Sequence, residues 1–352
     1  MKRWLKGITG LMSILMMAPS SAELIVLASP PEQDAYYAEV QDDIIDFQIN
    51  YAKEIIKHGD HVLILSRPSL YQEYVDALGK QSVLIAPMLD IWMRDFTLVN
   101  PNQPVMFRYT AAGQGGGREG QIEADEVQDV FYRLAQKAGL QFKSSDLLND
   151  GGNLVSDYVD NAVLSTKFLH DNQLTEKQAR RTLQVLLGID NIAFIEADEQ
   201  GGLEHADGVV SFVESNTLVI NSYPDDPEYA KQLKNDLRRQ LPKVKIVAIT
   251  TPYDGSDIYD KRFGSACGLY TNMLVTPNRI YLPQFGLPQD KLALAQVRAV
   301  TSKAVIPVLS SQVCYMGGGV RCMSLQLRGD NAQKLLDYAR SQLKSTWKKT
   351  AE

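Results

Sequence analysis

The sequence predicts an α/β fold in which about five similar units close into a ring. A β-hairpin followed by a helix and a strand recurs along the chain, with a period of 50–63 residues. The period is counted between the residues that open each hairpin, which are Asp95, Gly152, Gly208, Thr271 and Arg321. Self-similarity at so long a period is typical of units stacked around or along an axis. An ordinary α/β fold with accidental spacing is the alternative, and no linker divides the chain.

The N-terminal part of the predicted domain alternates strands and helices. Apolar residues between positions 44 and 56 recur at roughly helical spacing, which indicates an amphipathic helix there. The predicted elements are a strand at Leu24–Ala28, a helix at about 35–57, a strand at 61–65, a short helix after Pro68 and a strand at 83–88. We expect these N-terminal strands to complete the last unit of the ring.

Four hairpins follow, each predicted from two short β-type segments around a turn that contains asparagine. The hairpins are expected at 96–109, 153–167, 209–222 and 272–283. The helices expected after them cover about 123–138, 175–187, 227–240 and 289–302, and strands are expected at 192–195, 244–249 and 304–309. A strand at 322–327 begins a fifth unit, and a helix at about 331–345 ends the predicted domain.

Composition and charge exclude several classes of partner. The 352 residues are 45% hydrophobic, which is enough to bury a large core. A net charge of −6, a pI near 5.4 and the lack of a basic arm argue against nucleic-acid binding. No segment after residue 30 is long and apolar enough to span a membrane. We therefore expect a small-molecule or peptide ligand, and the oligomeric state stays open.

The N-terminus is typical of an export signal. Three basic residues lie within the first six positions, an apolar segment covers 8–18, and small residues at 20–22 form a cleavage site. A membrane anchor is the alternative, but the apolar segment is too short to span. We expect a signal peptide at 1–22 and a single mature domain at 23–352, exported to the periplasm or secreted.

Three cysteines are too few for a disulfide scaffold and odd in number for an exported protein. Cys267 and Cys314 either pair or remain buried thiols, and the sequence leaves both possibilities open. We expect Cys322 to be free. It follows three glycines and Arg321, so its thiolate has a cation beside it, although a glycine turn before a buried strand is the plainer interpretation.

Polar residues collect just before each hairpin. In a ring with pseudo-symmetry these equivalent positions meet at one end of the axis, so residues distant in sequence come together. The set is Arg94 and Asp95, Asp150, His205 and Asp207, Asn272, and Cys322, with Trp92 beside it. Each member also has a structural alternative, such as an Arg94–Asp95 ion pair, a turn at Asp150 or a turn cap at Asn272.

This combination of groups suits attack on a guanidinium carbon. Paired carboxylates bind the planar fork and keep it charged, a cysteine thiolate adds to the carbon, and histidine transfers protons. A zinc site is a competing interpretation, but one histidine and one cysteine without a close ligand pair disfavour it. A cysteine peptidase also uses cysteine and histidine, but several carboxylates would repel its oxyanion.

The chain resembles the agmatine deiminase and bacterial (Porphyromonas-type) peptidylarginine deiminase family. The resemblance covers about residues 90–330, and its motifs occur in family order. The motifs are Trp92-Met93-Arg94-Asp95, Asp150-Gly151-Gly152-Asn153, His205-Ala206-Asp207, Asn272 followed by Leu282-Pro283-Gln284-Phe285-Gly286, and Gly317-Gly318-Gly319-Val320-Arg321-Cys322. The family fold is a five-bladed α/β propeller of guanidine-modifying enzymes (pentein), which agrees with the repeat.

The resemblance implies a role for each matching residue. Cys322 is the expected nucleophile, His205 the general acid and base, and Asp95 and Asp207 the carboxylates that bind guanidinium. The remaining members, Trp92, Asn272, Asp150 and Arg94, are placed in the substrate-binding set. The family uses neither a metal nor a cofactor for this chemistry, so we expect none here.

The sequence departs from the family pattern beside the predicted catalytic residues. Arg321 stands where agmatine deiminases usually carry histidine, and Glu204 stands where they usually carry glycine. Glu204 is a candidate contact for a ligand amine, and Arg108 or Arg118 for a ligand carboxylate. The prediction is therefore an exported hydrolase that converts the guanidine of peptidylarginine or agmatine to a ureido group and ammonia. A non-catalytic guanidinium-binding protein and an amidinotransferase are the alternatives.

Overall fold

The fold is mixed α/β, and the strands of the described residues lie in five separate sheets. The computed structural model describes residues 22–32, 34–197 and 202–349. All but the last residue of the predicted signal peptide therefore lies outside the described residues. Because the strands alternate with helices along the chain, each sheet is assembled from segments close in sequence, with one exception described below.

Five elements form the N-terminal part: β1 (Leu24–Ala28), α1 (Gln41–Lys57), β2 (His61–Ser66), α2 (Tyr71–Leu78) and β3 (Val83–Ile85). The next part contains β4 (Val105–Arg108), α3 (Gly117–Ala138) and β5 (Lys143–Leu148). It is followed by β6 (Val155–Ser156), β7 (Asn161–Ser165), α4 (Lys167–Asp171), α5 (Glu176–Leu187) and β8 (Asn191–Ile195).

The C-terminal half repeats this order: β9 (Val210–Glu214), β10 (Thr217–Asn221), α6 (Pro227–Gln240) and β11 (Lys245–Ile249), then β12 (Leu274–Val275), β13 (Arg279–Gln284), α7 (Asp290–Arg298) and β14 (Ala304–Leu309). The last elements are β15 (Leu325–Leu327) and α8 (Gly329–Lys349).

The sheets share one pattern of strand pairing. An antiparallel pair comes first, and its second strand then pairs in parallel with the strand that follows the helix, as in β6–β7–β8, β9–β10–β11 and β12–β13–β14. The exception in sequence order is the sheet β15–β1–β2–β3, in which β15 supplies the antiparallel partner of β1. The expectation that the N-terminal strands complete the last unit is therefore confirmed.

The middle strands are apolar because both of their faces are covered. Every residue of β1 and β7 is buried, and such strands are expected as near-continuous hydrophobic segments rather than alternating ones. Helices cover these faces: α6 contacts β8, α7 contacts β11 and α1 contacts β14, so each of these three helices also packs on the preceding sheet. The hydrophobic core consequently runs between neighbouring units.

The structure corrects several predicted boundaries. The hairpin expected at 96–109 is reduced to a single bridge between Val99 and Val105, because the hydroxyl of Thr97 hydrogen-bonds the carbonyl of Met93 and turns the chain. Strand β5 was not predicted, since half of its residues are exposed and its pattern is weakly apolar. Helix α1 begins at Gln41 rather than near 35, and β3 ends at Ile85 rather than 88.

Within the residues that the structure describes, no helix combines the length and apolarity needed to cross a membrane.

Candidate active site

One cavity of about 530 Å³ collects the residues that precede the hairpins. Seven of the eight residues predicted for the site line it: Trp92, Asp95, Asp150, His205, Asp207, Asn272 and Cys322. Two of them stand immediately before short 3₁₀ turns, Asp150 before Gly151–Asn153 and His205 before Ala206–Gly208, and these turns contact each other. Neighbouring units therefore present their polar residues to one space.

Cys322 lies at the end of the glycine loop and its side chain is buried, with 7% of the residue exposed. The amide Nδ2 of Asn272 donates a hydrogen bond to Sγ of Cys322 at 3.1 Å. Burial raises the pKa of the Cys322 thiol well above its usual range, and the carboxylates of Asp207 and Asp95 raise it further. The sulfur is therefore a thiol in the unliganded protein at neutral pH.

His205 is held between two carboxylates. Its Nε2 lies 3.0 Å from Oδ2 of Asp150, and its Nδ1 lies 3.8 Å from Oδ1 of Asp95. Burial lowers the pKa of His205, but the charge of Asp95, the hydrogen bond to Asp150 and the charges of Asp150 and Asp207 outweigh it and raise the pKa to about 9. The imidazole is therefore protonated at neutral pH and is able to give a proton to a leaving group.

Asp95 and Asp150 are fixed by different partners. Oδ1 of Asp95 accepts a hydrogen bond from the backbone amide of Gly152 at 2.8 Å, and burial raises the pKa of Asp95 to about 7. Both carboxylate oxygens of Asp150 accept from Thr110, one from its amide and one from its hydroxyl, each at 2.9 Å. Asp150 is therefore anchored and orients His205.

Asp207 has an arginine as its partner. Its Oδ2 lies 3.1 Å from Nε of Arg321, and both side chains are at most 4% exposed. Trp92 stands on another side of the cavity, directly against the glycine loop. A Cβ at Gly318 would lie 2.4 Å from the Trp92 ring, so only glycine fits at that position.

Arg94 does not line the cavity, unlike the other seven residues predicted for the site. Its backbone amide donates to the carbonyl of Cys322 at 2.9 Å, and its buried guanidinium interacts with Arg321 and Asp207. The residue is 2% exposed, and within the described residues its Nε and Nη2 have no hydrogen-bond partner. The side chain of Arg94 is therefore not part of the cavity lining, and its substrate-binding role stays a prediction.

The residues suggested for ligand end groups also lie elsewhere. Arg108 pairs with Asp125 on the surface, at 2.6 Å, and takes no part in the cavity. Arg118 and Glu204 do not line the cavity either, and Glu204 adopts a backbone φ of 55° in its loop.

The sequence-based prediction missed an acidic wall. Asp34, Asp90, Glu119 and Glu123 line the cavity in addition to the predicted carboxylates. Asp90 accepts hydrogen bonds from the hydroxyl of Tyr37 at 2.7 Å and from Gln114 at 3.0 Å, and burial raises its pKa. The available signals were Asp90 two residues before Trp92, and two glutamates four apart in the helix after the glycine-rich segment.

The structure shows which cysteines are bonded. Cys267 and Cys314 form a disulfide, and Cys322 is the free cysteine. The bond joins two segments of the cavity wall, since Ala266 and Met316 are neighbours of the bonded cysteines and both line the cavity. Among the described residues, no cluster of three or more His, Cys, Asp or Glu side chains is arranged to hold a metal ion.

Comparisons with known proteins agree with the resemblance. The profile of the family described as Porphyromonas-type peptidyl-arginine deiminase matches residues 18–327. A Shewanella baltica protein, provisionally described as an agmatine deiminase, is 23% identical over 68% of this chain and 73% of its own length. A Streptococcus mutans protein with the same provisional description is 25% identical over 78% of this chain and 85% of its own length. The structure of C. jejuni agmatine deiminase is similar with a TM-score of 0.71 and 16% identity, over 88% of this chain and 94% of that chain.

Proposed function

Because the chain belongs to the Porphyromonas-type peptidyl-arginine deiminase family, whose members hydrolyse C–N bonds, we propose that it converts the guanidinium of a small dicationic substrate such as agmatine to a ureido group and ammonia. The observation that carries the proposal is the cavity, where one thiol, one protonated imidazole and two carboxylates available to a cation lie together. A dicationic substrate is proposed because the rest of the cavity wall is acidic.

The wall is acidic beyond the needs of the guanidinium. Asp34, Asp90, Glu119 and Glu123 stand against a single arginine of the lining, Arg262, which is itself paired with Asp260 at 2.6 Å. A substrate with an ammonium at its far end is attracted by such a wall, whereas the α-carboxylate of free arginine is repelled. The wall therefore favours a cation at both ends.

Substrate charge activates the nucleophile in this mechanism. The guanidinium binds between Asp95 and Asp207, where carboxylates accept its N–H groups in pairs. The arriving cation offsets the two carboxylates that raise the pKa of Cys322, so the thiol loses its proton to solvent and the thiolate adds to the guanidinium carbon. This order keeps the free thiol unreactive until the substrate is in place.

His205 then serves as acid and base in turn. Protonated His205 gives its proton to the departing nitrogen, so ammonia leaves and a covalent S-alkyl thiouronium remains on Cys322. The neutral imidazole takes a proton from water, which adds to the same carbon. Collapse of that adduct breaks the C–S bond, its hydroxyl proton leaves to solvent as the carbonyl forms, and the ureido product and the thiolate are released. Asp150 holds the imidazole in position during both transfers.

A peptidylarginine substrate is the second candidate, favoured by the description of the family whose profile matches. A peptide removes the α-carboxylate charge that the acidic wall repels, so it also suits the wall better than free arginine does.

The decisive experiment measures ammonia and ureido product from agmatine, free arginine and an arginine peptide blocked at both ends. We expect kcat/KM for agmatine to exceed that for free arginine about tenfold or more, which corresponds to about 1.4 kcal/mol. Cys322→Ala should lower turnover roughly 10⁴-fold or more while the protein stays folded.

Other results of this experiment would select a different substrate or a different function. A peptide that exceeds agmatine selects the second candidate, and equal rates with free arginine contradict the role of the acidic wall. No turnover of any of the three by a folded protein with a titratable thiol would indicate a guanidinium-binding protein. A new guanidino product when glycine is added would indicate amidino transfer.

We also propose export and a closed ring. Disulfides persist in oxidising compartments outside the cytosol, so the bond between Cys267 and Cys314 supports the export predicted from residues 1–22. N-terminal sequencing of the protein recovered outside the cytoplasm should begin at Glu23, and an intact Met1 would contradict it. The strand pairing that the sheets share, and the contacts of α6, α7 and α1 with the sheet before each of them, support closure into a five-bladed propeller.

A further inference from the structure

Arg321 is a buried charge that the proposed mechanism does not use. It adjoins Cys322 in sequence, yet its side chain does not line the cavity. The residue is 3% exposed, and a buried guanidinium is retained only where several partners satisfy it. Arg321 has such partners, and they identify its role.

Three contacts hold the side chain. Nε of Arg321 lies 3.1 Å from Oδ2 of Asp207, and Nη2 donates to the carbonyl of Leu154 at 2.9 Å. The side chain of Tyr158 also interacts with the guanidinium of Arg321. Leu154 and Tyr158 lie beside β6, Asp207 precedes β9, and Arg321 precedes β15, so one side chain connects three units.

The pairing with Arg321 engages one oxygen of Asp207, Oδ2. Asp207 lines the cavity and Arg321 does not, so the carboxylate stands between the guanidinium of Arg321 and the space where a ligand would bind. Asp207 also interacts with the carboxylate of Asp95, and Arg321 supplies a positive charge that offsets this repulsion. The titratable and charged groups that interact with Asp207 are Arg321, Arg94, His205, Asp95 and Cys322.

We propose that Arg321 is a positioning residue that fixes the orientation of Asp207 toward the substrate guanidinium and offsets the repulsion between Asp207 and the neighbouring carboxylates. This inference rests on the proposed function. It acts through Asp207, since the guanidinium of Arg321 does not touch the cavity. It also explains why arginine suits this position: its fork bonds Asp207 and Leu154 at once, which the single ammonium of lysine cannot reproduce in the same geometry.

The test separates charge from geometry with two variants. Arg321→Gln removes the charge, and we expect the acidic limb of kcat/KM to move to higher pH, with a loss of about tenfold or more at pH 6 that recovers near pH 8.5. Arg321→Lys keeps the charge, and we expect the limb to stay near that of the parent while kcat/KM falls severalfold through KM.

A second readout does not depend on the natural substrate. Cys322 is alkylated with neutral iodoacetamide and with cationic 2-chloroacetamidine; in each case sulfur forms a bond to carbon and the halide leaves. In the parent we expect the cationic reagent to react faster, because the carboxylates attract it. Arg321→Gln should lose this preference at pH 6 and regain it near pH 8.5, even if the proposed substrates prove wrong.

Arg279→Gln is the matched control. Arg279 forms another ion pair, with the buried Asp60 at 2.9 Å, away from the cavity, and its own side chain is 21% exposed. It should lower stability and leave both pH profiles unchanged. The proposal is overturned if Arg321→Gln shows the parent's pH dependence in both measurements, with any loss uniform across pH, since that is the result of a purely structural role.

Discussion

At the scale of single residues, glycines decide how closely the reacting groups approach one another. A Cβ at Gly152 would lie 2.5 Å from Nδ1 of His205 and 2.8 Å from Oδ1 of Asp95. Such contacts are too short for carbon, so any larger residue would push His205 away from its carboxylates. The glycine backbone thereby allows its own amide to bind Asp95 directly.

Gly318 and Gly319 allow a paired test of this close approach. Gly318→Ala would place its Cβ 2.4 Å from the Trp92 ring, and we expect the free energy of unfolding to fall by about 1–3 kcal/mol, as for overpacked sites. In Gly319→Ala the nearest neighbour is 4.0 Å away, so stability should be unchanged or slightly raised. Urea unfolding of both variants measures the difference. Equal effects would contradict the packing of Trp92 on the loop.

Asp150 is one of the groups that raise the pKa of His205, and the pH dependence of the rate tests its contribution. Because Asp150 stabilises the imidazolium, Asp150→Asn lowers the pKa of His205 from about 9 toward its ordinary value. Protonated His205 is needed to release ammonia, so the alkaline limb of the rate should move down by about one pH unit or more.

Thr110→Val is the control for the Asp150 variant. It removes one hydrogen bond to Asp150 but keeps the carboxylate charge, so its effect on the alkaline limb should be much smaller. An unchanged limb in Asp150→Asn, measured as the pH dependence of ammonia release, would assign the general acid to another group.

At the scale of elements, the cavity wall formed by 250–272 has little regular structure of its own. It carries Asn272, which bonds Cys322, and it is tied to the segment Cys314–Met316 by the disulfide at Cys267. The disulfide therefore holds this wall in place, as backbone hydrogen bonds hold the strands of the sheets.

Removal of the disulfide should weaken this wall. The bonded cysteines are separated by 47 residues in sequence, and closure of a loop of that length stabilises a protein by up to about 4 kcal/mol in the chain-entropy model. We expect a variant with Cys267→Ala and Cys314→Ala to melt at a lower temperature and to lose kcat/KM. Cys322→Ala, which keeps the disulfide, should melt like the parent. A double variant as stable as the parent would contradict the role of the bond.

At the scale of the whole molecule, the two ends of the domain meet in one sheet. Strand β1 lies between β15 and β2, and all five of its residues are 0% exposed. Glu23, just before it, is buried and receives a hydrogen bond from Gln326 at 2.7 Å. The fold is therefore complete only when the first strand of the domain pairs with the last.

Two truncations test this arrangement. A chain that begins at Glu23 keeps β1 and should fold cooperatively. A chain that begins at Pro30 lacks β1, and the lost burial of its apolar side chains, about 1.5–3 kcal/mol each, is comparable with the whole stability of a typical domain. We expect no cooperative melting by circular dichroism. A melting transition like that of the longer chain would show that β1 is dispensable.

The sequence by itself determined the mixed α/β class, most helices and strands, and the residues that gather in the cavity. These follow from local signals: helix α6 was predicted at the residues where it occurs, since Asp226 caps it, Pro227 begins it and its apolar spacing is helical. The site residues were predictable because they hold equivalent places in a repeat, just before each hairpin.

Only the tertiary structure decided which partner each of these residues has, and therefore which role it can take in the site. Asp150 and Asp207 look alike in sequence, yet one orients His205 and the other pairs with Arg321, because their partners come from other units. The same applies to Arg94, whose neighbour Asp95 lines the cavity while its own side chain does not. The sequence did not predict the acidic wall, and it left open whether Cys267 and Cys314 are bonded. Periodicity specifies where a residue lies along an element, whereas charge, burial and pairing depend on contacts between segments distant in the chain.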